Sequence, residues 1–291
     1  MNPDMPASDQ DGSPTVTLQI TKKMLRALAP LPDTAIQLLS LLNDPEVSLR
    51  KVADLAVRDV GISASLLRMA NSAVFGLRGK VGNISDALRV IGTAQARLLV
   101  LASGVAQSAQ RELPLYGLAA NQFMRHSELV ANLTMVIAQE AHFPNIGLAY
   151  SSGLLHDLGK VILNGLAVRQ AEEAPVVPIA EEMRKRQCTL LEAEVAVFGG
   201  DHARVSYQLA ELWSLPDELA VAIATHHEKL VPDPAQPLPY CLMLANGFAG
   251  AIDESYPKLS EPVDLTIPDW LSAEKVTQTA VHCGYPATQL P

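Results

Sequence analysis

Leu154-Leu155-His156-Asp157-Leu158-Gly159-Lys160 is the stretch on which the reading of this chain turns. An ionisable doublet sits there among apolar residues, with a glycine and a lysine just beyond. Working outward, His126, His202 and the pair His226-His227 complete a set that holds five of the chain's seven histidines. Neutral imidazoles with one carboxylate suit Fe, Mn, Zn or Ni. Adjacent helical residues diverge by about 100°, so His156 and Asp157 can share an ion only if it lies between their two directions. A carboxylate can bridge two ions, and two ions can activate a water and clamp a phosphate. Lys160 lies three residues past Asp157 on the same helix face, where it can pair with that carboxylate or neutralise a phosphate.

The composition permits a large core around such a site. Hydrophobic residues make up 48% of 291 and charged residues 18%, while aromatics are only 4%. The core must therefore be built from Leu, Ala, Val and Ile, and the wealth of Leu and Ala favours helices. A net charge of -9 argues against a general nucleic-acid binder, which needs a basic face. Cys188, Cys241 and Cys283 show no paired spacing, which fits a reducing cytoplasm. Residues 1 to about 18 read as a disordered acidic leader without signal-peptide character. The longest apolar stretch, near Leu98 to Ala106, is too short to span a bilayer, so a soluble cytoplasmic protein is expected.

Helical patterning runs through the chain. Pro32-Asp33 precedes a helix stopped by Asn43-Asp44-Pro45. Ser48, Asp59 and Ser85 are each placed to cap the next one, and Gly92 reads as a C-terminal stop. Thr93 starts a longer helix to about Gln110. Glu112 to Gly117, punctuated by Pro114 and Gly117, is the best boundary. A long helix is expected from Leu118 to Ala141, and another from Ile146 through the His-Asp doublet. Thr189 and Glu192 have capping-box spacing. Asp201 can cap the helix carrying His202, and Pro216 opens the one ending in His226-His227. A further apolar helix is expected from Tyr240 to Ala251. The tail beyond about Pro257 reads as less regular, packing back on the helices before it.

The residues from His126 to Asn246 resemble the HD superfamily of metal-dependent phosphohydrolases. His126 within Arg125-His126-Ser127-Glu128-Leu129-Val130 matches the first histidine of that pattern, and His156-Asp157 matches its name-giving doublet. Leu158-Gly159-Lys160, His202 and His226-His227 extend the match to the HD-GYP branch. Further upstream, Leu31-Pro32, Ala70-Asn71-Ser72-Ala73-Val74-Phe75-Gly76, Ile84-Ser85-Asp86-Ala87 and Ile91-Gly92 look like the HDOD family, a helical output domain of bacterial signalling proteins. That resemblance covers roughly residues 22 to 250. It implies an all-α fold in which an N-terminal helical lobe, 19–113, packs on an HD-like helical lobe, 114–256, followed by a C-terminal extension, 257–291. The Asn71-Ser72 pair is expected to tie a helix end to the next loop.

The resemblance also shows where acids are missing. The late acidic ligand of the HD pattern falls on Asn246, and a glutamate four residues before the first histidine in the HD-GYP branch falls on Gln122. Each neutral amide removes a negative charge near the metals. The family therefore implies a regulatory binding or output module with a signalling partner protein, weakly active or inactive. The alternative is a metal-dependent phosphohydrolase acting on a nucleotide or cyclic dinucleotide. There one or two ions would be held by His126, His156, Asp157, His202, His226 and His227. Asp157 and Lys160 would serve catalysis, and Arg125 and Arg204 would contact phosphate. The plainer reading of the same residues is a buried polar network of histidines, Gln122, Asp157 and Asn246.

Overall fold

The computed structural model describes residues 25, 31–44, 46–72, 75, 77, 79–108, 112–171, 176–253, 255–257 and 267–286. The leader expected at 1–18, and the Ala73-Val74 and Gly76 parts of the upstream motif, lie outside them. Every regular element among the described residues is helical, apart from one isolated bridge between Leu113 and Leu118. No described helix is long and apolar enough to cross a membrane.

The first four helices whose ends are described are α1 (Asp33–Leu42), α2 (Leu49–Ala56), α3 (Val60–Ala70) and α4 (Ile84–Ser108). Asp59 caps α3, its side chain accepting from the Ile62 N–H at 3.0 Å. Ser48 stands at the N-cap of α2 but makes no side-chain bond there. The cap expected at Ser85 belongs instead to Asn83, which accepts from the Asp86 N–H at 2.9 Å and donates to its carboxylate at 2.7 Å. That reciprocal pair starts α4 one residue before Ser85. Gly92, at φ 78, breaks α4 into two segments, as only glycine does without strain. Asn71 clamps the end of α3 to the following loop, donating to Leu67 O and Val81 O, each at 2.9 Å, and accepting from the Val81 N–H at 2.8 Å.

A 3-10 turn at Pro114–Tyr116 leads to α5 (Gln122–Glu140), which begins four residues later than its apolar pattern suggests. Asn121 holds φ 68 there, a left-handed conformation that cannot continue a helix. Then come α6 (Ile146–Leu155), α7 (Leu158–Gln170), α8 (Ile179–Arg186), α9 (Leu190–Phe198), α10 (His202–Leu212), α11 (Asp217–Thr225) and α12 (Pro237–Ile252). The capping box at Thr189 and Glu192 starts α9, and Asp201 caps α10 by accepting from the Arg204 N–H at 2.8 Å. The helix expected to run through His156-Asp157 is in fact two. His156 ends α6, and Asp157, at φ -101 and ψ 8, turns the chain into α7.

The tail is more regular than its sequence suggests. Residues Ala273–His282 form α13, capped by the Ser272 hydroxyl at 3.3 Å from the Lys275 N–H. Val276 and Ala280 are buried against α5, so the tail does pack back, as one more helix of the core.

Candidate metal centre

Each histidine of the set stands at a helix end or on a buried helix face. His126 lies on the inner face of α5, while His202 is the first residue of α10. His226 ends α11, and His227 follows it. The two breaks, at His156-Asp157 and at His226-His227, free each pair from the fixed divergence of neighbouring helical residues. The six side chains gather into two groups that could hold a metal ion. Asp157, His202, His226 and His227 form one, and His126, His156 and Asp157 form the other; within each, the donor atoms lie within 4.8 Å of one another. Asp157 belongs to both. All but His227 are buried.

Hydrogen bonds at the far side of each ring decide which nitrogen faces inward. His156 Nδ1 lies 2.7 Å from Gly153 O, and His226 Nδ1 lies 2.6 Å from Ile223 O. A carbonyl only accepts, so both protons sit on Nδ1 and both Nε2 atoms carry lone pairs. His202 Nδ1 lies 2.7 Å from Glu194 Oε2, the same oxygen that accepts the His202 backbone N–H at 2.8 Å. A carboxylate behind a histidine raises its basicity and fixes its ring, the arrangement found behind metal-ligating imidazoles.

The inward nitrogens meet Asp157 at close range. Its Oδ1 lies 3.2 Å from His202 Nε2 and 3.5 Å from His226 Nε2, and its Oδ2 lies 3.3 Å from His156 Nε2. His202 Nε2 and His227 Nε2 are 2.9 Å apart. His156 Nε2, His226 Nε2, His126 Nδ1 and Asp157 Oδ1 are all buried without a hydrogen-bond partner. Lone pairs turned on one another in a dry interior repel, and a cation among them removes that cost. The donor set therefore fits a divalent ion, and three imidazoles with one carboxylate form a suitable four-ligand group.

Burial and mutual repulsion shape the protonation of the cluster. Burial pushes His126 down to about 3 and His226 down to about 4. His227 is also pushed well down, by burial and by His226. His202 goes the other way, to about 9, because Glu194 outweighs the cost of burial. Burial alone would raise Asp157, but His156 and Lys160 hold it well below the usual carboxylate range.

Lys160 reaches Asp157 Oδ2 at 2.6 Å and, despite burial, is held above the ordinary lysine value by that carboxylate. Tyr256 closes the same side. Its ring stacks on His126 at 3.9 Å between centroids, and its hydroxyl lies 3.5 Å from Asp157 Oδ2.

The amide positions separate. Asn246 lies beside His126. Gln122 instead accepts from the Ala119 N–H at 2.7 Å and donates to Ser255 O at 3.1 Å, next to Tyr256. Arg125 is exposed and lies over the Tyr285 ring at 5.4 Å, and Arg204 is exposed on α10. Sequence reasoning missed Glu194 and Tyr256. For Glu194 a signal existed: it occupies the buried stripe of α9 with Leu190, Ala193 and Phe198, where an acid needs a partner.

A curated relative, an uncharacterized protein of Treponema pallidum (strain Nichols), is 24% identical over 228 residues, 78% of this chain and 43% of its own length. The chain thus spans less than half of that relative. Among solved structures, the fold is similar to an HDOD domain protein of unknown function from Geobacter sulfurreducens, with a TM-score of 0.59 and 24% identity, covering 89% of this chain and 88% of that one. It is also similar to a protein named as a candidate phosphohydrolase from Shewanella amazonensis SB2B, with a TM-score of 0.58, 23% identity and coverage of 90% and 87%. A third, named as a candidate signal transduction protein from Marinobacter aquaeolei VT8, gives 0.60, 20%, and coverage of 93% and 60%. At these identities the likeness is one of fold. The HDOD domain model matches residues 28–229, and the chain therefore belongs to the HDOD domain family.

Proposed function

We propose that this chain is a signalling module that acts by binding a partner protein, with a metal-stabilised cluster at its centre rather than a working phosphohydrolase site. The observation that carries this reading is the closure of the cluster. Lys160 sits on Asp157 Oδ2 and Tyr256 stacks on His126, and His156 and His202 are both 0% exposed. A phosphoester must bring its phosphorus beside the ions, and a hydrolytic site is concave for that reason. The two groups also differ in completeness. Asp157, His202, His226 and His227 offer four donors with Glu194 behind one of them, whereas the His126–His156 side carries a neutral Asn246. One ion in the first group, Fe, Mn, Zn or Ni, is the expected content.

Elemental analysis of protein purified without chelator tests this reading. About one equivalent of metal is expected, lost in His202→Ala, together with a lower Tm after chelation. Protein that stays metal-free after loading would sink the metal assignment. A second reading has support in Asp157, which both ligand groups share, as a bridging carboxylate of a phosphohydrolase would be. Hydrolysis of a generic phosphodiester or cyclic dinucleotide, abolished in Asp157→Asn, would establish that reading and overturn the first.

A further inference from the structure

Asp157 turns its two oxygens to different neighbours. Oδ1 faces His202 Nε2 at 3.2 Å and His226 Nε2 at 3.5 Å, and it is buried without a hydrogen-bond partner. Oδ2 faces His156 Nε2 at 3.3 Å, the Tyr256 hydroxyl at 3.5 Å and Lys160 Nζ at 2.6 Å. One oxygen is thus left for a metal ion to satisfy, while the other already holds a cation. That cation has a built seat. Lys160 is only 5% exposed, and its Nζ lies over the Tyr256 ring at 5.5 Å and the Tyr116 ring at 6.0 Å. Aromatic faces attract an ammonium, and both rings are fixed, Tyr256 by its stack on His126 and Tyr116 by donating to Glu194 Oε1 at 2.6 Å.

Donors for a metal are nonetheless present on this side. His126 Nδ1 and His156 Nε2 are buried without hydrogen-bond partners, and with Asp157 they form the three-donor group. Asp157 is the one carboxylate of that group, Asn246 beside His126 adds no charge, and Glu194 stands behind His202 in the other group. A dication here would share Asp157 with the ammonium on Oδ2 and with the ion of the four-donor group. Cations gathered on one buried carboxylate repel one another strongly, because little water screens them. We propose that the ammonium of Lys160 is the resident cation of the His126–His156 side, standing in place of a second metal ion and limiting the cluster to one. This inference rests on the reading that the four-donor group binds metal.

Titration of the metal-stripped full chain with Mn(II), read by elemental analysis after desalting and by electron paramagnetic resonance, tests it. The natural chain is expected to hold about one equivalent with the signal of an isolated ion, and Lys160→Met about two with the signal of a coupled pair. Asn246→Asp restores an acid but leaves the ammonium, so it should stay at about one. Without metal, Lys160→Met leaves a buried carboxylate uncompensated and should have a lower Tm, which Mn(II) should raise further than it raises that of the natural chain. About one equivalent in Lys160→Met, or about two in the natural chain or in Asn246→Asp, would overturn this inference and leave the metal reading standing. No metal in the natural chain would overturn that reading and this inference with it. Where Lys160→Met does not fold even with Mn(II), the count in Asn246→Asp decides alone.

Discussion

At Glu194 one buried carboxylate accepts the Tyr116 hydroxyl at 2.6 Å, the His202 N–H at 2.8 Å and His202 Nδ1–H at 2.7 Å. It thereby sets the direction of His202 Nε2. Glu194→Gln keeps the shape and removes the charge, and it should weaken metal binding by about tenfold to a hundredfold, the usual range for partners behind a ligand. Competition against a chelating dye measures this, and unchanged affinity would mean the carboxylate only packs. Glu128 supports a different test. Burial raises its pKa above the usual value, with Arg68 opposing. A carboxyl raised in the folded state gives stability that is present below its unfolded value and lost as pH rises through the folded one. Glu128→Gln should therefore be more stable than the natural chain near pH 7, with the gap closing toward pH 4, as thermal unfolding at both values would show. A gap that widens on acidification would refute the assignment. The six cluster residues were legible because their order and spacing form a pattern. Glu194 left only the sign of an acid on an apolar helix stripe, and Tyr256 left none, because a loop return selects it as a partner of the cluster.

The helices show the same division between local and tertiary causes. Asp59, Thr189 with Glu192, and Asp201 were readable because a cap needs only residues three apart. The break at His156-Asp157 was hidden, since Leu154 to Val161 carries no proline or turn dipeptide to mark it. What demands it is the approach of α7 to α10. The Gly159 N–H donates to Ser206 Oγ at 2.8 Å, and a Cβ on Gly159 would stand 2.0 Å from His202 O. Backbone meets backbone there, and the contact seats His202 beside Asp157. Gly159→Ala must push the two helices apart, at a cost of about 1–3 kcal/mol or more, and should reduce metal content as well. Urea denaturation and elemental analysis read the two effects; a variant of natural stability would show that the helices do not meet as described. The helix α13 escaped notice for the complementary reason. Its buried stripe is only Val276 and Ala280, too little for a 10-residue helix to stand on without α5.

Across the whole molecule, the last helix is tied to the histidine cluster through one carboxylate. Asp253, 4% exposed, accepts the Tyr285 hydroxyl at 3.1 Å on one oxygen, and the Ser255 N–H at 3.1 Å and Ser255 hydroxyl at 2.5 Å on the other. The turn so formed delivers Tyr256, whose N–H donates to Asp253 O at 3.1 Å and whose ring covers His126. On the outer side, Lys275 reaches Glu140 at 2.5 Å, and Val276 is fully buried. Removing the Tyr285 hydroxyl leaves the buried Asp253 short of a donor, a loss of about 1–3 kcal/mol. Tyr285→Phe should therefore loosen the 253–256 turn while α13 stays docked, and Val276→Asp, which buries an unpaired charge, should undock α13 as well. Amide exchange at Ser255 and Tyr256 is expected to speed up in both variants, and more in Val276→Asp. Because Tyr256 lies over His126, a metal probe should leave the cluster faster in the same order. Faster exchange with unchanged metal release would mean that Tyr256 packs on the cluster without closing it, and unchanged exchange in Tyr285→Phe would remove the tail from the account of the site.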